Sequence, residues 1–297
     1  MKYSMKYSSL IKNARFFDVS LRDSLQSITK IYSLNEKKIL LHDVLKKINI
    51  DSIEVGSFVS PKILPQMENT DALFNYANSL SHNKKLFVLT PNEKAVKKAL
   101  DIGVNNFSLI TSVSEEFQKR NINKTLNQTK EGIDKMVTLI DDKNIKLYIS
   151  CINQCPIGGK IKTDFILNEI SEYYYKYEYI RNICLSDTCG TLEYRDFKNV
   201  INGIIKRGFD LTRFSLHLHQ NINNPETTHN IILYALKNNI TLFDVSILNS
   251  GGCSVTIKNN KDYKSVFEKS DYFSKFGFVF SDFPTSKQII SAFSKLN

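Results

Sequence analysis

The chain has 297 residues, 42% of them hydrophobic, enough to bury the core of one domain in the size range of α/β barrels. Its formal charge of +10 is carried mostly by lysines spread along the whole length, which argues against a nucleic-acid-binding face. No apolar run reaches the roughly 18 residues of a membrane-spanning helix, so no membrane partner is expected.

Residues 1–13 contain lysines but neither an apolar signal core nor an Arg-rich amphipathic pattern, and are taken as a lead-in. The first predicted strand, 14–21, runs into Arg22, Asp23 and Gln26, which place a cation, an anion and an amide in quick succession. Residues 35–48 predict a helix, because Ile39, Leu40, Val44, Leu45 and Ile48 recur at three- and four-residue spacing. The strand 52–55 carries Glu54 inside an apolar run, where an unpartnered carboxylate would be costly, so a partner is expected, in a structural salt bridge inside the barrel or in support of Arg22 or a metal site.

Strand 86–90, helix 91–100, strand 106–111 and helix 125–140 follow, and then strand 146–151. Gly158-Gly159-Lys160 lacks the spacing of a nucleotide-binding phosphate loop, which leaves Lys160 as a loop cation. Helix 163–177 leads to strand 180–186, directly after which stands Asp187. Helix 193–207 precedes strand 213–217, and helix 225–237 precedes strand 242–246. Several of these helices begin with Thr, Pro or acidic residues suited to a first turn.

Eight strands alternating with helices, without a long linker or internal repeat, predict a single (β/α)8 TIM barrel over residues 14–297. In that fold the functional residues gather at the C-terminal ends of the strands. The unusual side chains fall there: Arg22 and Asp23, Glu54, Asp187, His217 and His219, and Cys253 after the last strand.

His217 and His219 are two apart, so on an extended chain both imidazoles face the same side and can reach one ion. With Asp23 across the barrel mouth they form a set of two imidazoles and one carboxylate, suited to a divalent cation such as magnesium or manganese. Arg22, always protonated and rich in donors, is placed to stabilise an enolate oxygen. Gly251-Gly252-Cys253 puts a thiol on a turn whose backbone can approach a ligand. The five cysteines are odd in number and widely spread, which points to a reducing compartment, read here as the cytoplasm.

The pattern Leu21-Arg22-Asp23-x-Leu25-Gln26, the run from Ile53 to Lys62, Ser186-Asp187-Thr188, His217-x-His219 and Gly251-Gly252-Cys253 together resemble 3-hydroxy-3-methylglutaryl-CoA lyase. That family belongs to the metal-dependent barrels that also include isopropylmalate and homocitrate synthases. The Ser-Phe-Val-Ser-Pro-Lys run at 57–62 favours the lyase.

The resemblance implies metal ligation by Asp23, His217 and His219 and substrate contact by Arg22 and Gln26. It also implies acid–base support from Glu54 and Asp187, and a thiol, Cys253, near the reacting carbon. The implied reaction is a metal-assisted retro-Claisen cleavage of hydroxymethylglutaryl-CoA, or a related 3-hydroxyacyl-CoA, by a homodimer. The family's glycine–asparagine metal-ligand segment is replaced here by Lys-Asn-Asn-Lys-Asp at 258–262, leaving Asp262, Asn260 or water for a fourth position. Residues 220–223 also depart from the family's usual Asp-Thr-x-Gly. Two other readings stand beside this one: a non-catalytic barrel that retains acyl-CoA or partner binding, and a Claisen-type synthase joining an acyl-CoA to a 2-oxo acid.

Overall fold

The computed structural model describes residues 13–46, 50–220 and 225–248, together with the backbone of Lys264–Ser265. Eight parallel strands close into a barrel: β1 Arg15–Asp18, β2 Ile50–Ser57, β3 Lys85–Leu89, β4 Asn106–Ser112, β5 Asn144–Ser150, β6 Asn182–Ser186, β7 Phe214–His217 and β8 Leu242–Val245. Each strand pairs with its neighbours in the chain, and β1 closes the ring against β8 with Phe17 opposite Asp244. This is the TIM barrel that the sequence predicts.

The helices are α1 Leu34–Leu45, α2 Thr70–Ser79, α3 Glu93–Asp101, α4 Glu115–Ile122, α5 Leu126–Leu139, α6 Thr163–Lys176, α7 Tyr194–Lys206 and α8 Pro225–Lys237. Among the described residues, none is long and apolar enough to cross a membrane. α1 starts at a reciprocal cap, in which Ser33 accepts the Glu36 backbone N–H while the Glu36 carboxylate accepts that of Ser33. The predicted α1 is longer than the observed one, and its last predicted turn, with Ile48, lies outside the described residues. α2 and α4 are additional to the predicted helices.

The main hydrophobic core lies between the outer faces of the strands and the inner faces of the helices. Leu147 and Ile149 of β5, for example, pack in the same cluster as Ile166 and Ile170 of α6. Period-two alternation then turns Lys146, Tyr148 and Ser150 of β5 into the barrel. At its lower end, Phe17, Val19 and Phe87 pack together with Leu242, Phe17 and Phe87 meeting edge to face at 5.0 Å. Above them the interior is charged, with Lys146 paired to Asp244 and both wholly shielded from solvent.

The first predicted strand ends earlier than its apolar pattern suggests. Asp18 accepts the backbone N–H and the hydroxyl of Ser20, a local turn that competes with further strand pairing. The chain then coils into a single π-helical turn, Ser20–Ser24, in which the Val19 carbonyl receives the N–H groups of Arg22, Asp23 and Ser24. Such turns are uncommon and concentrate at functional sites.

Candidate active site

The π turn after β1 carries Arg22 and Asp23 into the C-terminal mouth of the barrel. Arg22 is clamped between two carboxylates: its Nε donates to Glu54 on β2 and its Nη1 to Asp23 at 2.7 Å. Its guanidinium carbon stands 5.2 Å from the centre of the Tyr148 ring. Tyr148 Oη donates to the same Glu54 oxygen at 3.3 Å, and burial, with Asp244 and Glu54 nearby, keeps the phenol protonated well above its ordinary range. Glu54, expected to have a partner, therefore has two. Gln26 donates to Asp23 at 3.0 Å. Burial pushes the Asp23 carboxyl up, but Arg22 foremost, with the histidines, outweighs it and holds the group well below the usual carboxylate range.

β7 ends at His217, and the chain resumes extended geometry at His219–Gln220, which pairs antiparallel with Lys264–Ser265. The two histidines thus stand on consecutive short strands rather than on one, yet the two-residue spacing still brings them together. His217 Nδ1 lies 3.0 Å from Asp244 Oδ2, and His219 Nδ1 lies 2.6 Å from the carbonyl oxygen of Asp187. Those oxygens only accept, so each Nδ1 donates and each ring turns its Nε2 into the mouth. Burial pushes His219 down to about 4, helped by His217 and Arg22 and opposed by Asp23, so its ring is neutral at pH 7.

The two Nε2 atoms are 3.2 Å apart and lie 3.7 and 3.9 Å from Asp23 Oδ2. A triangle of these sides has a centre about 2.1 Å from every corner, within the roughly 2.0–2.2 Å bond lengths of divalent ions to nitrogen and oxygen. The donor set Asp23, His217 and His219 therefore fits a metal ion, with each residue offering one ligand atom. Charge supports this: the buried cations Arg22 and Lys146 face three buried carboxylates, Glu54, Asp23 and Asp244, leaving a net negative charge that a divalent cation offsets.

The cavity at this mouth measures about 60 Å³ among the described residues, and its lining includes Arg22, Asp23, Gln26, Tyr148, Thr188 and both histidines. Asp187 is not in that wall. Its carboxylate turns into the 188–192 loop, accepting the backbone N–H groups of Leu192 at 3.1 Å and Thr191 at 3.4 Å, and burial raises it to about 6 despite them. It meets the site through its carbonyl, which fixes the His219 ring. Lys160 is likewise elsewhere, exposed and bonded to Asp196 at 2.6 Å. Cys253, Asn260 and Asp262 lie outside the described residues.

Residue-by-residue reading did not single out Lys146, Asp244 or Tyr148. Their signal was the one that exposed Glu54, a polar group set at period two inside an apolar strand. The four described cysteines are buried and form no disulfide with one another, and Cys184 is pushed up to about 12 chiefly by burial. Cys151 ends β5 with a left-handed backbone, φ 65°, its N–H bonded to Thr188 Oγ1 at 2.8 Å, which ties the wall of the site to the end of the strand.

Comparison with known proteins agrees with this fold. The chain is 29% identical over 248 residues to human mitochondrial hydroxymethylglutaryl-CoA lyase, spanning 82% of this chain and 74% of that protein. It is 28% identical over 253 residues to the 3-hydroxy-3-isohexenylglutaryl-CoA/hydroxymethylglutaryl-CoA lyase of Pseudomonas aeruginosa, covering 82% and 80% of the two chains. The fold superposes on the crystal structure of hydroxymethylglutaryl-CoA lyase from P. aeruginosa with a TM-score of 0.77 at 24% identity, covering 94% of this chain and 90% of that one. It also superposes on an Acinetobacter baumannii HMG-CoA lyase solved with coenzyme A and 3-methylmalate, with a TM-score of 0.77 at 22% identity and coverage of 94% and 88%. The HMGL-like family matches residues 13–254, a span that includes all eight barrel strands and Asp23, His217 and His219, and this chain belongs to that family.

Proposed function

We propose that the chain is a carbon–carbon lyase that cleaves 3-hydroxy-3-methylglutaryl-CoA, or a related 3-hydroxyacyl-CoA, to acetyl-CoA and acetoacetate. The observation that carries this reading is the convergence of three ligand atoms on one point beside a buried, doubly anchored arginine. The names of the human and P. aeruginosa relatives supply the substrate class.

Asp23, His217 and His219 would hold a divalent cation, magnesium or manganese. When bound, it supplies Lewis-acid polarisation of the substrate's hydroxyl and carbonyl oxygens. Asp244 and the Asp187 carbonyl keep both imidazoles in the ligating tautomer. Gln26 steadies Asp23 and contacts the substrate from the cavity wall.

In the proposed retro-Claisen step a base at the mouth takes the tertiary hydroxyl's proton, the carbon–carbon bond breaks, its electron pair passes to the acetyl-CoA enolate, and the oxygen left behind becomes the ketone of acetoacetate. Arg22 spends two donors on Glu54 and Asp23, and its remaining N–H groups serve the enolate oxygen. Glu54 acts by holding that guanidinium in place, and Asp187 by fixing His219. Cys253 is assigned as the thiol that quenches the enolate with a proton. The catalytic domain is residues 14–297, preceded by the lead-in, and the enzyme is taken as a cytoplasmic homodimer.

The test is direct. Purified protein supplied with magnesium or manganese and hydroxymethylglutaryl-CoA is expected to release acetoacetate, with the rate falling about 10²–10³-fold in Arg22→Ala. No release with either ion sinks the reading.

A further inference from the structure

We propose that the opposite, N-terminal mouth of the barrel is a second binding site, and that its ligand is a nucleoside phosphate. A cavity of about 410 Å³ opens there, several times larger than the one beside the histidines and within the roughly 300–1,000 Å³ of small-molecule sites. Its walls come from the starts of β1, β2, β3, β5, β6 and β8.

Arg15, Lys84, Lys85, Lys143 and Arg181 line this cavity, against one acidic residue, Asp51. Asp51 is committed to Arg15 at 3.1 Å, and Lys143 reaches Asp142 outside the lining at 2.9 Å. Part of the positive charge that is scattered along the chain is gathered here by closure of the sheet. A concave surface with an excess of cations focuses a field that selects anions, and an arginine fork suits phosphate oxygens.

Tyr179, 43% exposed, lines the same cavity and gives a base or similar flat group a ring to stack on, while Phe17, Phe87 and Leu242 close the floor below the cationic rim. The same floor separates the two mouths. Lys146 Nζ lies 3.5 Å above the Phe17 ring and is paired with Asp244, so nothing passes through to the metal-ligand set. The first twelve residues, with Lys2, Lys6 and Lys12 and no acid, carry the wrong charge to neutralise the cavity.

Calorimetric titration of the full chain with ADP, adenosine and pyrophosphate tests the assignment. ADP is expected to bind at least tenfold tighter than either fragment, and its affinity to fall as salt is raised. The double variant Lys85→Gln/Arg181→Gln, altering two exposed side chains, is expected to weaken ADP at least tenfold while leaving acetoacetate release unchanged. Lys85→Gln alone, with a smaller loss in the same direction, serves if the double variant does not fold.

ADP is also a fragment of coenzyme A, so the Lys85/Arg181 variant, altered only at the opposite mouth, is what separates the two sites. The proposal is overturned by absence of ADP binding at millimolar concentration, by equal affinity in the Lys85/Arg181 variant, or by pyrophosphate binding as tightly as ADP. None of these outcomes depends on whether the lyase reaction occurs.

Discussion

Lys146 and Asp244 form a fully buried ion pair, and Asp244 also accepts from the His217 ring. Burial raises the Asp244 carboxyl, but Lys146 first and His217 second outweigh it, so the group stays ionised. Removing the cation alone strands that charge. Lys146→Met is therefore expected to lower unfolding stability in urea by about 3–5 kcal/mol. Asp244→Asn makes a different prediction, because it weakens the acceptor that sets the His217 tautomer. Manganese affinity, measured by titration calorimetry, is expected to fall about 10–100-fold. An unchanged affinity would show that His217 does not rely on Asp244.

Secondary-structure elements place these side chains, and their contacts explain which of them the residue pattern announced. α2 buries Leu73, Phe74 and Ala77 at helical spacing, so its sequence carries the signal of a helix even though it was not among those predicted. α4 buries only Phe117 and Gln118 within its own span, too few to define a face, and its strongest local mark is Ser114, which caps it. The seat of α2 on β2 depends on Gly56. A Cβ built there would stand 2.5 Å from Thr70 Oγ1, and that hydroxyl donates to the Ser57 and Met67 carbonyls. Gly56→Ala is expected to displace Thr70 and cost about 1–3 kcal/mol in chemical denaturation. A neutral result would mean that the helix shifts freely against the sheet.

For the molecule as a whole, Asp23 and the His217/His219 pair draw on two distant parts of the chain, so ion binding should be felt as global stability. Manganese at a hundred times its dissociation constant is expected to add about 2.7 kcal/mol, reversed by a chelator and absent in His217→Ala. Acid should act in the opposite sense. Asp23 and Asp244 titrate lower in the fold than the ordinary carboxylate value of about 3.9. Their stabilisation is therefore present above about pH 4 and is lost as pH falls toward the lower, folded values. In metal-free protein the acid limb of the stability profile is expected to be shallower in Asp244→Asn than in the unaltered chain.

From the sequence alone came the alternation of strands and helices, the closed barrel, and the placing of Asp23, His217 and His219 at one mouth, because periodicity and strand-end position are local properties. Glu54 was legible as a buried charge in need of a partner, since an apolar run around a carboxylate is visible without coordinates. Arg22 was among the partners so expected; that Tyr148 would join it was not legible, nor that the first strand would stop at Asp18 and coil, nor that Asp187 would turn its carboxylate into a loop and its carbonyl toward His219. Those outcomes depend on hydrogen-bond geometry between segments far apart in the chain. The gathering of Arg15, Lys84, Lys85, Lys143 and Arg181 around one cavity belongs to the same class. Charges that look scattered in a one-dimensional order become neighbours once the starts of the barrel strands are drawn into a ring, and only closure of the sheet brings them together.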